Sequence, residues 1–496
     1  MSNCSNNIQK DGKEMKSPLL IAIDIGSTHT KAAVFDIEGH ILSKASHSSN
    51  LILHDESGRA ETKPHEWLAA SVMATRKAVS TIDRSRCAAL CIASEGPTMV
   101  IIDKTLKPLA HALLWMDRRA YREARILSER VNGRVDAASI TAKALWFSIN
   151  RPAVMKKAAA VIQPLDFVAA HFTGKVRFSV VSDDFGAAPR HLWDTAGLPS
   201  HLMAEPIVMG TVIGSLLKEY ADAMGLPEGL PVVSGTGGVD AIQVILGTST
   251  LEEGIACDKA GTSEGIEVIS RTRIKDERFF VAPHPVLPGY YHVGGIMSTS
   301  GRALAWFRDS FFPSGTSFRR ALTEAGKAPP GSEGLIFLPY LLGERTPVWD
   351  EKARGVFFGI SLCHKRGHFL RAVMEGVALG IDQILKLIGN HGISVNELRV
   401  AGGPSRSSLW NQIKADITGL PVRVASVPEA ELLGLAILAG YGISLYPDLK
   451  KAAAELVRFK KAVFPRSDMM PLYQAHKEKY GALYGNLKPL FREREY

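Results

Sequence analysis

The chain has 496 residues, 46% of them hydrophobic and 22% charged, with a formal net charge of +9. That length exceeds what one hydrophobic core supports and predicts two domains of roughly 200–250 residues, while no apolar run is long enough to cross a bilayer and no apolar core marks a secretory leader. Five scattered cysteines without a C-x-x-C pair argue against a disulfide framework or structural zinc site and point to a reducing cytoplasm, and basic residues spread along the chain without an aromatic-interleaved patch exclude a nucleic-acid module and suit anionic small molecules.

Residues 1–17 are polar and of mixed charge and read as a disordered leader. From Pro18 to about Gly247 strands (19–25, 31–36, 89–93, 99–102, 231–234) alternate with helices (63–80, 118–131, 140–160, 216–224), which predicts an α/β domain with a mixed sheet over 18–247. Near Gly247-Thr248-Ser249-Thr250 the composition loosens, and a second α/β half over 248–496 opens with strands near 251–257 and 265–270. Helices follow at 300–308, 366–390, 407–418 and 429–441, the second of these with apolar residues at helical spacing. A last helix from about Tyr473 returns to the outside of the fold. No repeat of solenoid period is visible.

Each half opens on a hairpin of the same chemistry. In the first, an apolar strand ends in Asp24, a turn of Gly26, Ser27 and Thr28 follows, and a second strand leads away from Thr30. In the second, Asp258 precedes Gly261, Thr262 and Ser263, and a strand begins near Gly265. Such turns aim backbone N–H groups and hydroxyls at one point, which suits phosphate oxygens; a single one is also an ordinary hairpin. A carboxylate at the end of a buried strand, Asp24, suits magnesium held through its waters. Asp240 follows the glycine-rich stretch Gly235-Thr236-Gly237-Gly238-Val239 and is a candidate proton acceptor, a role compatible with capping the helix that begins there.

The segment Gly355-Val356-Phe357-Phe358-Gly359-Ile360, with His368-Phe369-Leu370-Arg371-Ala372-Val373-Met374-Glu375-Gly376 after it, resembles the second signature of the FGGY carbohydrate kinases. Pro339-Tyr340-Leu341-Leu342-Gly343-Glu344-Arg345-Thr346-Pro347 resembles another block of that family, and Lys143-Ala144-Leu145-Trp146 its first signature, with Ala144 departing from the usual bulky residue. The resemblance spans residues 18–480. It implies two ribonuclease-H-like domains of the actin/hexokinase/Hsp70 type flanking a deep cleft where ATP, Mg²⁺ and a sugar meet. Gly26, Ser27, Thr28 and Thr30 with Gly261, Thr262 and Ser263 would hold the ATP phosphates, Asp24 the magnesium, Gly402, Gly403, Pro404 and Ser405 the adenosine, and Asp240 would be the base. A homodimer is left open, and neither nucleic acid nor membrane is implied as a partner.

Sugar recognition falls on two stretches, with Glu95, Gly96, Trp115, Asp117, Arg119 and Asp240 as candidates. Glycerol kinases carry an Arg-Glu pair, and typical bacterial xylulokinases a Met-His pair, where this chain has Gly96-Pro97, which argues against glycerol and also counts against xylulose. The pair Asp240-Ala241 is closer to ribulokinases. A ketopentose kinase, with D-xylulose to xylulose 5-phosphate first, is the leading reading. Ribulose or another sugar or polyol of the same family is the alternative within the class, and a nucleotide- and sugar-binding pseudokinase or regulator the alternative outside it.

Overall fold

The computed structural model describes residues 17–54, 58–182 and 188–492; apart from Ser17, the leader read at 1–17 lies outside them. Two six-stranded mixed sheets carry the fold. In the first, the spatial order is Ile41–Ser48, His29–Asp36, Leu19–Ile25, Cys87–Ser94, Pro231–Ser234, Val212–Ser215. In the second it is Phe280–Pro283, Tyr291–Met297, Glu264–Ser270, Ile255–Ala260, Glu397–Ala401, Val422–Val424.

Numbered along the chain within each half, five strands run 3-2-1-4-5 in both sheets. The first three pair antiparallel, and the fourth and fifth join in parallel. Each sheet adds one antiparallel edge strand, on opposite flanks. One topology is thus used twice. The central strands, such as Leu19-Leu20-Ile21-Ala22-Ile23, are apolar on consecutive positions because both faces of the sheet are covered.

Between the sheets lie two helices, Asp240–Gly247 and Ala430–Gly442, each following the fifth strand of its half. They cross so closely that a Cβ on Gly247 would stand 1.8 Å from the Ala430 carbonyl oxygen, and one on Gly434 1.9 Å from that of Gln243. Only glycine permits that approach. The later helix belongs by sequence to the second half, yet Leu432, Leu433, Ala436 and Ile437 share a core with Leu20, Ala22 and Ala93 of the first sheet. The halves therefore meet in one apolar layer, with the cleft opening above it.

The predicted helix over 140–160 is two helices, Ile140–Asn150 and Pro152–Lys157, followed by strand Ala160–Ile162. Pro152 removes an N–H and pushes Arg151 out of helical backbone, so the chain breaks there. Helix Arg366–Asn390 has the bounds its apolar spacing predicts. The last helix, Met470–Arg492, packs on the second half through Tyr473, Tyr480 and Leu483. Among the described residues no helix is long and apolar enough to cross a membrane.

Candidate active site

The cleft holds a cavity of about 470 Å³ lined by Asp24, Gly26 and Glu95 from the first sheet, Asp240 and Gln243 from the first crossing helix, Lys259, Gly261 and Thr262 from the second hairpin, and Gly402 and Gly403. A larger groove of about 500 Å³, along 63–66 and 107–111, lies on the outer surface and gathers none of these groups.

The hairpins are alike in chemistry but not in length: four residues separate the last pair Ile25 and Thr30 in the first, three separate Ala260 and Glu264 in the second. Gly26 N–H donates to His29 O and Gly261 N–H to Ser263 O, each at 3.0 Å. The N–H groups of Ser27, Thr28, Thr262 and Ser263 meet no carbonyl of the described residues and remain available to an anion. Gly402, at φ +91°, lies with its backbone against Ala260, where a Cβ would stand 2.0 Å from the carbonyl oxygen, and this seats the 402–405 turn on the second hairpin. Ser405 is buried, and its hydroxyl donates to Gly402 O at 2.7 Å, closing that turn rather than facing the cleft. Pro404 and Gly403 complete the same turn.

Asp24 pairs in register with Lys31, and the period of two puts both on the cleft face. Thr30, predicted among the phosphate ligands, points the other way for the same reason. It is fully buried, with its hydroxyl unpartnered among the described residues. Gln243 Nε2 donates to Asp24 Oδ1 at 3.0 Å, and Thr236 holds the Gln243 carbonyl at 3.1 Å. Burial pushes the Asp24 carboxyl up to about 6, with Lys31 opposing. Asp240 is the first residue of its helix, whose N-cap is Val239; its carboxylate makes an ion pair with Lys259 of the second sheet, instead of the capping bond considered from sequence.

The acid of the second hairpin is displaced from the cleft. Asp258 is buried inside the second half, where Lys414 Nζ bonds both Asp258 and Glu264 at 2.5 Å. Since Gly26 and Gly261 each follow the last paired residue of their strand, the residue matching Asp24 is Lys259. Strand alternation turns its neighbour Asp258 to the opposite face.

In the stretch expected to read a sugar, Glu95 accepts from Thr98 Oγ1 at 2.9 Å through Oε1, while Oε2 is buried without a hydrogen-bond partner among the described residues. Burial pushes its carboxyl up to about 8, against the Thr98 bond and the Lys143 charge. Lys143 is fully buried and donates to the carbonyls of Pro97 (2.9 Å) and Leu114 (2.8 Å), which fixes the loop carrying Glu95 and Gly96. Gly96 lies against the backbone of Gly238. Trp115 donates its indole N–H to Ser27 Oγ at 3.1 Å, so this stretch braces the first hairpin. Asp117 is spent on Ala60 N–H and on Arg119, and Arg119 on Asp117 and Glu61. These two candidates are held by each other outside the cavity lining, because a fork and a carboxylate two residues apart close on themselves when buried.

Gln243, Lys259, Lys31 and Glu431 were not among the candidates. Gln243 had a signal, being three residues beyond Asp240 and so on the same helix face. Lys259 had none without the register of the two hairpins.

Two copies of one sheet topology, facing a cleft lined by two anion-ready turns and five carboxylates, define a ribonuclease-H-like phosphotransferase. Family models for the N-terminal and C-terminal domains of the FGGY family of carbohydrate kinases match residues 19–247 and 258–443, and the chain belongs to that family. It is 27% identical to the xylulose kinase of Bacillus subtilis (strain 168) over 493 residues, covering 95% of this chain and 97% of that protein. It is 28% identical over 450 residues to the gluconokinase of the same organism, covering 85% and 87%. In fold it is similar to gluconate kinase from Lactobacillus acidophilus, with a TM-score of 0.84 at 22% identity over 95% of this chain and 98% of that one.

Proposed function

We propose that this carbohydrate kinase transfers the γ-phosphoryl group of ATP to a hydroxyl of a small sugar, a ketopentose, with D-xylulose first. The observation that carries the reading is the single cavity joining Asp240, Asp24, Glu95 and the glycines of both hairpins. Phosphoryl transfer asks a protein for position, charge and a proton acceptor. Gly26, Ser27 and Thr28 and Gly261, Thr262 and Ser263 supply N–H groups to the phosphates, and the turn at Gly402 and Gly403 supports the nucleoside. Asp240 takes the hydroxyl proton as that oxygen attacks. Glu95, protonated at neutral pH, donates its O–H to a second sugar hydroxyl. The Asp24 carboxylate, in the cavity and steadied by Gln243, is a hard oxygen donor of the kind magnesium takes. Held there through water, magnesium would neutralise phosphate charge. The absence of a transmembrane helix among the described residues and the full-length match to xylulose kinase are in keeping with a cytoplasmic enzyme.

The test is sugar-dependent ADP release with Mg·ATP across D-xylulose, D- and L-ribulose, L-xylulose, gluconate, erythritol and glycerol. Asp240→Asn is run beside the native protein. A single preferred ketopentose, and a loss of kcat of about 10²–10⁴-fold in the variant with ATP binding retained, is the expected outcome. Preference for gluconate would replace the substrate, and equal turnover in the variant would remove Asp240 from the chemistry.

A further inference from the structure

Three cations line the cavity, and each is paired with a carboxylate. Lys31 Nζ meets Glu431 at 2.6 Å, Arg406 meets Glu429, and Lys259 meets Asp240. The first and third pairs both bridge the halves, and each ends at the start of a crossing helix, Glu431 in Ala430–Gly442 and Asp240 in Asp240–Gly247. They differ in what the acid does. In the kinase reading Asp240 is the proton acceptor, whereas Glu431 is assigned no step.

We propose that Lys259 is a catalytic residue: its ammonium group leaves Asp240 for the oxygens of the transferring phosphoryl group when a nucleoside triphosphate fills the cleft. The proposal rests on the kinase reading above. Lys259 sits two residues before Gly261, on the strand that delivers the second phosphate turn, and lines the cavity with Ala260, Gly261 and Thr262. It occupies the place that Asp24 holds in the first half, so the two strand ends present a carboxylate and an ammonium to the same space. Its charge is secure there. Burial opposes it, but Asp240, Glu267 and Asp24 outweigh burial and raise its pKa.

A carboxylate engaged by an ammonium is a poor proton acceptor, and a phosphate entering a cavity lined with five acids needs a cation free to receive it. One exchange meets both needs. The sugar O–H then gives its proton to Asp240, its oxygen forms the bond to the γ-phosphorus, and the bond from that phosphorus to the β–γ bridging oxygen breaks with its electron pair staying on ADP. Lys259 compensates charge on the phosphoryl oxygens during the transfer.

The test compares binding of Mg·ADP with binding of the magnesium complex of the β,γ-imido analogue of ATP, by calorimetry, in the native chain, Lys259→Met and Lys259→Arg. In Lys259→Met we expect ADP affinity to stay within about threefold, analogue affinity to fall about tenfold, and kcat on the preferred sugar to fall about 100-fold or more. Lys259→Arg restores part of both. An unchanged ratio of analogue to ADP affinity, or a kcat within about threefold of native, would overturn the assignment and leave Lys259 as a bridge between the halves. If Lys259→Met fails to fold, as read from circular dichroism, the same ratio in Lys259→Arg and Lys259→Gln decides. Should the native chain phosphorylate no sugar in the panel, the kinase reading fails, while the nucleotide titrations still decide whether Lys259 meets the third phosphate.

Discussion

At the scale of single residues, the family signatures and the lining of the cleft cavity lie in different places. Arg371 and Glu375, both within the most recognisable block, are buried together. Glu375 accepts from Arg371 Nε (2.8 Å), Gly331 N–H (2.9 Å) and Tyr473 OH (2.9 Å), tying a loop and the last helix to Arg366–Asn390. Glu344 likewise accepts from Ser298 N–H at 2.6 Å and Arg345 N–H at 2.8 Å. These are knots of the fold. The residue that most rewards a test at this scale is Glu95. In an unfolded chain a glutamate loses its proton near its ordinary value of 4.5, but here only near about 8. Between those values the native state binds the extra proton, so stability falls as pH rises and levels off above about 8. Each pH unit in that window is worth about 1.4 kcal/mol at most. Glu95→Gln removes this slope. Urea unfolding at pH 5 and pH 8.5 is expected to show the variant gaining on the native protein by roughly 1–3 kcal/mol at the higher pH. The same difference at both values would mean that Glu95 is ionised throughout. Sugar KM of the native enzyme should rise above pH 8, and that of Glu95→Gln should not.

Among the elements, the crossing of Asp240–Gly247 over Ala430–Gly442 decides the geometry of the site. Asp240 and Gln243 ride on one helix, and Glu431 on the other. Gly434 lets them touch, since a Cβ there would lie 1.9 Å from Gln243 O, a backbone atom that has nowhere to go. Gly434→Ala therefore pushes apart the helices that aim Gln243 at Asp24. We expect a loss of about 1–3 kcal/mol in urea unfolding, together with a fall in kcat. A variant with native stability and kcat would show that the crossing relaxes at no cost. Both helices were legible as apolar runs near their observed bounds. Their crossing was not, because a glycine in a helical pattern carries no record of which backbone it lies against.

For the whole molecule, the apolar layer between the sheets makes two halves into one cooperative body. Leu20, Ala22 and Ala93 from the first sheet pack with Ile242, Ile245, Leu433 and Ile437 of the crossing helices, and Ile269 and Ala282 of the second sheet join them. One calorimetric unfolding transition is expected. Two separated transitions would show that this layer does not couple the halves. A fragment ending at Gly247 would expose the faces of Leu19–Ile25 and Cys87–Ser94 that Ala430–Gly442 covers. We expect it to lack a cooperative transition and to bind a hydrophobic dye, and a cooperatively folded fragment would refute this.

What the sequence by itself determined is what rests on local pattern: alternating strands and helices, two halves, two glycine-hydroxyl turns, and an acid at the head of the helix beginning at Asp240. Motif resemblance then joined them into a kinase. Those features survive in one dimension because period, turn chemistry and motif spacing are properties of neighbouring residues. The tertiary structure decided which acids face the cleft. Asp24 does and Asp258 does not, although both precede a glycine turn, since one more residue before the turn reverses the face of a strand. It also closed Asp117 on Arg119, turned Thr30 into the core and set Lys259 against Asp240. Such pairings join residues far apart in the chain, and only the packing of one sheet against the other brings them within reach.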